Sequence, residues 1–379
     1  MPQNVQRRDF VKTSGAAAMG LSVLKPQIVR GAQANSALTV GLIGAGRRGM
    51  AISGIFAKNE FARIAAVCDI YEDQIQAATK VFSGAKTFNN INDLLASDVD
   101  AVYIATPPHL HPEHFELAVA ARKHIFMEKP AGVDAAGCRR VVEAAQKADK
   151  AKRISVDYQQ RYGKDYRKAY EIVKSGQIGG IKMIRASWLG GGLPERSGHP
   201  ASEEKIRNWL FYREHSGDII VEQNCHNMDV VNWFMGTHPV KASGYGGRQV
   251  RTHIGNIMDN LGVTYHFENG VVFSYSANQF SGGGFQDVSE TFFCEQGTMV
   301  TSRRGYKLYN KKERMAQPEE VATNYDITAD AVNEFIEGAR TGKIENAAFT
   351  AAESTLTAIM AREAIYNGTE MTWNQISKS

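Results

Sequence analysis

The pattern of apolar and polar residues divides the chain into two parts. Up to residue 158, short apolar runs alternate with amphipathic stretches, which is typical of a parallel α/β sheet. The predicted strands are Leu38–Ile43, Arg63–Val67, Asp100–Thr106, His124–Met127 and Arg153–Tyr158. Between them, one predicted helix ends near Lys58, and two others span His114–Arg122 and Asp134–Ala148. The first part is therefore predicted to be a Rossmann dinucleotide-binding domain over residues 35–158.

The pattern changes beyond residue 160. Helices are predicted at 164–175 and within 218–233, with a strand at 181–188 between them. From residue 240 to 309, β-rich runs are separated by turns such as Asn269-Gly270, which predicts a mostly antiparallel sheet. Helices at 329–340 and 350–366 follow. The fold class is thus α/β, with a substrate-binding α+β domain over 159–379. We leave open whether its last helices pack on the first domain.

The first strand runs directly into Gly44-Ala45-Gly46-Arg47-Arg48-Gly49 and then into a helix. This is a Gly-x-Gly-x-x-Gly motif in the context that dinucleotide binding requires. The first glycine permits a tight turn, the second lets the backbone approach a pyrophosphate, and the third lets the helix pack on the strand. The helix N-terminus offers free N–H groups to the phosphates. All six residues are predicted to bind the cofactor.

The second predicted strand is followed by Cys68-Asp69, and Asp69 lies 20 residues after Gly49. An acid at this distance accepts hydrogen bonds from the adenosine ribose and repels a 2′-phosphate, which favours NAD. NADP stays open, because Arg47 or Arg48 can neutralise a phosphate. The alternative role of Asp69 is to cap the helix that begins near Tyr71.

Three histidines, His109, His111 and His114, follow the strand that ends at Thr106 and Pro107. No carboxylate or cysteine joins them at a ligand spacing, so we predict no metal. A loop under the nicotinamide ribose is the preferred interpretation. The four cysteines are widely spaced, and we expect no disulfides.

The N-terminus resembles an export signal. Arg7-Arg8-Asp9-Phe10-Val11-Lys12 is similar to the twin-arginine motif, and a short apolar run and Ala32-Gln33-Ala34 follow it. Residues 1–34 carry five basic side chains against Asp9 alone, which accounts for the net charge of +4 over 379 residues. We therefore expect cleavage of this signal, periplasmic or secreted localisation through the twin-arginine machinery, no nucleic-acid partner and no stable membrane span.

Several of these motifs together resemble the Gfo/Idh/MocA family, the group of glucose–fructose oxidoreductase and inositol dehydrogenase. The resemblance covers nearly all of residues 37–375. The matching residues are Gly44-x-Gly46-x-x-Gly49, Asp69, Ala105-Thr106-Pro107-Pro108 with His111, Glu128-Lys129-Pro130 and His226-x-x-Asp229. The resemblance implies a nicotinamide cofactor, a sugar or polyol substrate and a large open sheet that mediates homodimers or homotetramers. It also implies that Thr106, Pro107, His111, Glu128 and Lys129 lie beside the cofactor.

The predicted chemistry centres on Lys129 and His226. Lys129 polarises or protonates the substrate oxygen if burial or nearby positive charge lowers its pKa, and His226 is the general acid/base. Many family members carry an aspartate four residues before the histidine, with a glycine between them. This chain has Glu222 and Asn224 there. At helical spacing Glu222 shares a face with His226 and can orient or polarise it, or else reach a different substrate atom.

Asp229 is predicted to support the same catalytic pair. Tyr158, Arg161, Trp209 and Tyr212 are candidate substrate contacts, since aromatic rings commonly stack on sugar faces.

Three functions follow from this interpretation. The first is an exported NAD(P)-dependent oxidoreductase of sugars, polyols or glycosides, with a tightly bound cofactor that is recycled in place. The second is an NAD-dependent glycosidase that oxidises C3 transiently, eliminates the glycosidic bond, adds water and reduces again. The third is a non-catalytic sugar-binding protein, against which the presence of both Lys129 and His226 argues.

Overall fold

A six-stranded parallel sheet forms the first half of the fold. The computed structural model describes residues 37–310 and 317–378, and the predicted export signal lies outside the described residues. Strands β1 to β6 are Leu38–Ile43, Ala62–Cys68, Lys86–Phe88, Ala101–Ile104, His124–Met127 and Ile154–Val156. Their order, β3-β2-β1-β4-β5-β6, is that of a doubly wound Rossmann sheet. This confirms the predicted Rossmann fold.

Helices cover both faces of this sheet, which is why β4 and β5 are buried at every residue. Helices α1 to α5 are Arg47–Lys58, Glu72–Val81, Ile91–Leu95, His111–Ala120 and Ala135–Lys147. Helix α4 begins three residues earlier than predicted, because Pro112 fits its first turn. Strand β3 and helix α3 were not predicted, since β3 is short and largely exposed and leaves no apolar run.

The second half is built on a nine-stranded mixed sheet. Its strands β7 to β15 are Ile181–Leu189, Lys241–Gly247, Asn260–His266, Val272–Asn278, Asp287–Cys294, Gly297–Ser302, Gly305–Asn310, Glu319–Ala322 and Met371–Thr372. The order is β14-β13-β12-β11-β7-β10-β9-β8-β15, and only β7 and β10 pair in parallel. The turn at Asn269-Gly270 joins β9 to β10, with Gly270 at φ +83°. The predicted mostly antiparallel open sheet is confirmed.

Helices pack on one face of this second sheet and connect it to the first. Helices α6 to α13 are Lys164–Lys174, Glu204–Arg207, Arg213–Ser216, Ile219–Glu222, Cys225–Met235, Thr328–Thr341, Ala348–Asn367 and Trp373–Lys378. The predicted helix within 218–233 is two helices, α9 and α10. The Asn224 N–H bonds to the Ile219 carbonyl five residues back, which breaks the regular ladder between them. No helix among the described residues is long and apolar enough to cross a membrane.

The chain returns to the first sheet near its end. Phe335 on α11 is fully buried against Phe56 on α1 and Phe126 on β5, with ring centroids 6.0 and 5.4 Å away. The next segment pairs with β6, where the Ile154 N–H donates to the Glu345 carbonyl at 2.9 Å. The dinucleotide-binding sheet therefore depends on residues more than 170 positions beyond its last strand.

This packing predicts that Phe335→Ala destabilises the whole protein by about 3–5 kcal/mol, through lost burial and the cavity left among the rings. The measurement is the free energy of unfolding in urea. Phe349→Ala is the control, because Phe349 is 41% exposed on α12. Equal stability of the two variants would contradict the packing.

Candidate active site

A cleft of about 1100 Å³ opens at the carboxyl ends of β1, β4 and β5. This volume is at the top of the range of roughly 300–1,000 Å³ for small-molecule sites, so two ligands can share it. The first domain contributes the residues that follow its strands. The second domain contributes α9, α10 and the segment 193–211. Ten of the predicted site residues line the cleft, namely Gly46, Arg47, Arg48, Thr106, His111, Glu128, Lys129, Trp209, Glu222 and His226.

The glycine-rich turn has the shape that a dinucleotide requires. Gly44 has φ +94°, and a Cβ on Gly49 would lie 2.0 Å from the Gly44 carbonyl oxygen, so neither position accepts a larger residue. Above Gly46 the space is open to the cleft, and no side chain caps the N-terminus of α1. Its N–H groups are therefore available to phosphates. These residues fit the pyrophosphate of NAD(P).

Asp69 lies behind this turn, and its side chain is bound by two backbone N–H groups. Its carboxylate accepts hydrogen bonds from the Ala45 N–H at 2.7 Å and the Tyr71 N–H at 3.0 Å. A carboxylate has about four acceptor sites, so capacity remains for ribose hydroxyls. Burial raises the pKa of Asp69, against the opposing effect of these hydrogen bonds and of Arg207.

Arg48 forms ion pairs with two acids of the first domain. Its guanidinium donates to Glu128 at 2.8 Å and to the buried Asp157. Although burial opposes it, the charges of Arg48 and Lys129 lower the pKa of Glu128, and Tyr103 donates a further hydrogen bond to it. Arg48 thus connects the phosphate turn to the end of β5.

The loop after β4 is held by hydrogen bonds of His111. His111 forms hydrogen bonds to the Pro130 carbonyl at 2.6 Å and to the Thr106 carbonyl at 2.8 Å, which joins the ends of β4 and β5. Pro107 precedes a short 3₁₀ turn and does not line the cleft. Among the described residues, no group of three or more histidines, cysteines and acids is arranged to hold a metal.

Lys129 is held by Glu222 across the cleft. Its Nζ donates to Glu222 Oε1 and to the Glu222 carbonyl, both at 2.6 Å. Burial favours the neutral amine, but the Glu222 carboxylate, with smaller effects of Cys225 and Glu128, raises the pKa of Lys129. The fall in pKa that was the condition for this role of Lys129 is therefore not found, because an acid and not a cation is its nearest neighbour. Lys129 is an ammonium group that can donate hydrogen bonds.

His226 lies at the start of α10 in a mostly apolar pocket. Its Nδ1 is 3.1 Å from Gln160 Oε1, and its ring lies between Trp188 and Tyr158, each with its centroid 5.9 Å away. An amide oxygen accepts, so Nδ1 carries the proton and Nε2 has a free lone pair. Burial, followed by the charges of Arg303 and Lys129, lowers the pKa of His226 well below its ordinary value. The imidazole is therefore neutral.

Three predicted supporting contacts differ from the structure. Glu222 binds Lys129 and not His226, because the break between α9 and α10 removes the helical spacing. Asp229 forms a two-pronged ion pair with Arg161 at 2.8–3.0 Å and accepts from Ser354 at 2.8 Å. Neither Asp229 nor Arg161 lines the cleft. We assign this pair to support of α10.

Two further predicted substrate contacts are also turned away. The hydroxyl of the buried Tyr158 lies 3.2 Å from Thr355 Oγ1. Lys205 Nζ lies 5.5 Å from the centre of the Tyr212 ring, and Tyr212 does not line the cleft. Trp209 alone of the aromatic candidates lines it.

The sequence pattern missed several cleft residues, namely Gln159, Trp188, Arg196 and Arg303. Each lies on a turn, a strand end or a loop that carries no local motif. Only the pairing of distant segments brings them together. An arginine at a tight hairpin turn, as at Arg303 between β12 and β13, was the one available signal.

Comparisons with known proteins agree with this geometry. The family model described as "Oxidoreductase family, NAD-binding Rossmann fold" matches residues 38–158, and "GFO/IDH/MocA C-terminal domain" matches residues 166–300. The chain belongs to the Gfo/Idh/MocA family of oxidoreductases. It is 29% identical over 262 residues to inositol 2-dehydrogenase of Corynebacterium glutamicum, covering 68% of this chain and 72% of that protein.

Solved structures share the fold of this Gfo/Idh/MocA protein. A levoglucosan dehydrogenase in complex with NADH and levoglucosan superposes with a TM-score of 0.76 at 18% identity, over 89% of this chain and 99% of the other. Myo-inositol 2-dehydrogenase of Lactobacillus plantarum gives a TM-score of 0.72 at 20% identity, with the same coverage. The chain is thus an NAD(P)-dependent enzyme of the sugar and polyol dehydrogenase family that acts on CH–OH groups.

The Lys129–Glu222 contact predicts that Glu222→Gln lowers the pKa of Lys129, since the charge that raises it is removed. The pH at which Lys129 becomes reactive towards acetic anhydride, followed by peptide mass spectrometry, should move to lower values. Glu214→Gln is the control, because Glu214 pairs with Lys205 at 3.0 Å and does not line the cleft. An unchanged reactivity profile in Glu222→Gln would contradict the assignment.

Proposed function

We propose that this protein transfers a hydride between nicotinamide and a carbinol carbon of a sugar, polyol or glycoside, with Lys129 and His226 handling the oxygen and its proton. The observation that supports this most is their placement. Both groups line one cleft with Thr106 and Glu128, beyond the carboxyl ends of β4 and β5. This is the edge where Rossmann sheets bind their ligands.

The charge states of the two groups suit different tasks. In the oxidation direction, neutral His226 accepts the hydroxyl proton at Nε2. The Lys129 ammonium donates a hydrogen bond to the same oxygen and stabilises its developing negative charge. When bound, the nicotinamide supplies the hydride acceptor or donor. In the reverse direction the protonated His226 returns the proton.

Glu222 holds Lys129 in place by its carboxylate and its backbone carbonyl. Because these two contacts use two of the three N–H groups of the ammonium, the third is left for the substrate. We infer that Glu222 acts through Lys129 as a positioning residue.

We further propose that the protein is exported through its twin-arginine signal with the cofactor already bound. Two contacts support retention of the cofactor. Arg207 pairs with Asp73 at 2.8–2.9 Å and lies 3.7 Å from the Tyr71 ring, which fastens the segment after β7 to the first domain. The buried Asn208 side chain binds the Arg196 backbone through both its amide atoms. Recycling by paired oxidation and reduction would remove the need for fresh NAD.

We propose a homodimer or homotetramer that uses the face of the second sheet opposite its helices. Buried and partly exposed residues alternate along β9 and β10, so this face is incompletely covered in one chain. Light scattering of the purified protein tests it, and a monomer at micromolar concentration would contradict it.

The function is tested by purifying the exported protein, denaturing it and measuring released NAD(H). The native protein is then screened against free sugars, polyols and p-nitrophenyl glycosides. Stoichiometric NADH formation or coupled exchange between two sugars supports the oxidoreductase. Nitrophenol release without net NADH would instead assign the transient oxidation, elimination and re-reduction of a glycosidase. Absence of nucleotide binding would contradict both.

We predict that Lys129→Ala and His226→Ala each lower kcat by at least about 100-fold, as loss of acid–base chemistry generally does. NAD(H) binding, measured by fluorescence titration, should change by less than about threefold. His238→Ala is the control, because its ring stacks on Trp373 at 3.6 Å and does not line the cleft. Near-normal turnover in either cleft variant would refute the pair.

Retention of the cofactor predicts a role for Arg196. A Cβ on Gly46 would lie 3.8 Å from its guanidinium, so the side chain reaches over the phosphate turn. Arg196→Ala should speed NADH dissociation about tenfold, the loss expected for one charge-assisted hydrogen bond. Stopped-flow fluorescence measures this rate. Arg185→Ala, at an exposed position on β7, is the control. An unchanged rate would remove Arg196 from the cofactor site.

A further inference from the structure

Arg303 is a cation on the substrate side of the cleft. It lies in the turn between β12 and β13 and lines the cleft with His226 and Trp188. Its guanidinium carbon is 5.5 Å from the centre of the Trp188 ring. With the Gln159 amide oriented so that its nitrogen donates to the Asp157 carbonyl, its oxygen accepts from Arg303 Nη2 at 3.2 Å. The other N–H groups of the Arg303 guanidinium have no hydrogen-bond partner among the described residues.

Arg303 has no acidic partner in the described part of the chain. No carboxylate oxygen there lies within 4 Å of it, and its Nε is buried without a hydrogen bond. The other cations on this side are paired, Arg48 with Glu128 and Lys129 with Glu222. A partly buried guanidinium with free donors is unfavourable unless a ligand satisfies it.

The nearby acid Glu290 does not supply the missing charge. Its oxygens accept hydrogen bonds from Asn227, Thr301 and Tyr166 at 2.6–3.2 Å. Burial raises the pKa of Glu290 to about 7, so it carries only part of a charge at neutral pH. The charge of Arg303 also disfavours protonation of His226. A general base must accept a proton, so a bound anion that offsets this charge would help His226 to act.

The cofactor phosphates are not the expected partner. They belong to the Gly44–Gly49 turn and the N-terminus of α1. The arginines whose charges act on one another there are Arg47, Arg196 and Arg207. Arg303 instead acts on His226 and Glu290, at the other end of the cleft. A ligand that reaches Arg303 therefore lies beside the proposed base.

We propose that Arg303 is a specificity-determining residue that binds a carboxylate on the substrate, so that the protein acts on an acidic sugar or its glycoside, such as a uronate. The inference rests on the proposed hydride-transfer function and deepens it. The guanidinium lies over the Trp188 ring, its Nη2 donates to Gln159 and its Nε is buried. Its Nη1 has no partner among the described residues, so this end of the guanidinium can donate to a carboxylate.

The test compares ligands that differ only in charge, on the NADH-loaded protein, where binding does not require turnover. The pairs are glucuronate with glucose, galacturonate with galactose, and p-nitrophenyl glucuronide with p-nitrophenyl glucoside, and glucose 6-phosphate is a phosphate probe. At least one acidic member should bind ten or more times tighter than its neutral partner, roughly the effect of one charged hydrogen-bonded contact. Added salt should reduce this preference.

Arg303→Gln should abolish the preference for the acidic member and leave the affinity for the neutral one within about threefold. Arg304→Gln on the same turn is the matched control, because Arg304 is exposed and does not line the cleft. The inference is overturned if no acidic sugar binds better than its neutral partner. It is also overturned if glucose 6-phosphate is preferred over glucuronate, or if Arg303→Gln weakens both members equally.

The two claims fail in different ways. In one outcome, acidic sugars bind through Arg303, but they do not reduce bound NAD and their keto forms do not oxidise NADH. This would support the carboxylate site and contradict hydride transfer. Turnover of neutral sugars with no acidic preference would retain hydride transfer and overturn the role of Arg303.

Discussion

The ion pair between Lys129 and Glu222 is the contact on which the site depends. It joins the end of β5 in the first domain to the end of α9 in the second, with both side chains less than 15% exposed. Burial lowers the pKa of Lys129, and the pair with Glu222 raises it and so favours the charged amine. The same cleft keeps His226 neutral, because its ring is buried and its charged neighbours are cations. One site therefore contains a fixed donor and a free base, as proton transfer beside a nicotinamide requires.

A second constraint is the connection of this pair to the cofactor turn. Arg48 belongs to the glycine-rich motif, yet its charge is used on Glu128 and Asp157, immediately before Lys129 and Tyr158. The glycine-rich turn and the segments that carry Lys129 and Tyr158 are thus joined by one ion-pair network. Arg196 and Arg303 form no ion pair within the described residues, and Arg196 lies by Gly46 whereas Arg303 lies by Trp188. This distribution of paired and unpaired cations is the basis for assigning one to the cofactor and the other to the substrate.

The sequence predicted the elements whose signals are local. The Gly44–Gly49 motif predicted a turn and a helix start, and alternation of apolar residues predicted the strands, because both follow from neighbouring residues. The partner of Glu222 was not predictable in this way. Helical spacing indicated His226 as the partner of Glu222. Because the helix breaks near Asn224, Glu222 instead binds Lys129. Tyr158 and Arg161 were misassigned for the same reason, since their partners Thr355 and Asp229 are 197 and 68 residues away.

The protonation state of His226 is the most direct test of this account. It is measured by ¹H–¹⁵N NMR of the protein labelled with ¹⁵N-histidine, loaded with NAD and titrated from about pH 5 to pH 8. The account predicts that the His226 signal, identified by its loss in His226→Gln, is that of a neutral imidazole with its proton on Nδ1 throughout that range. A His226 that titrates near its ordinary pKa, or that carries its proton on Nε2, would contradict the assignment of a neutral base beside a charged lysine.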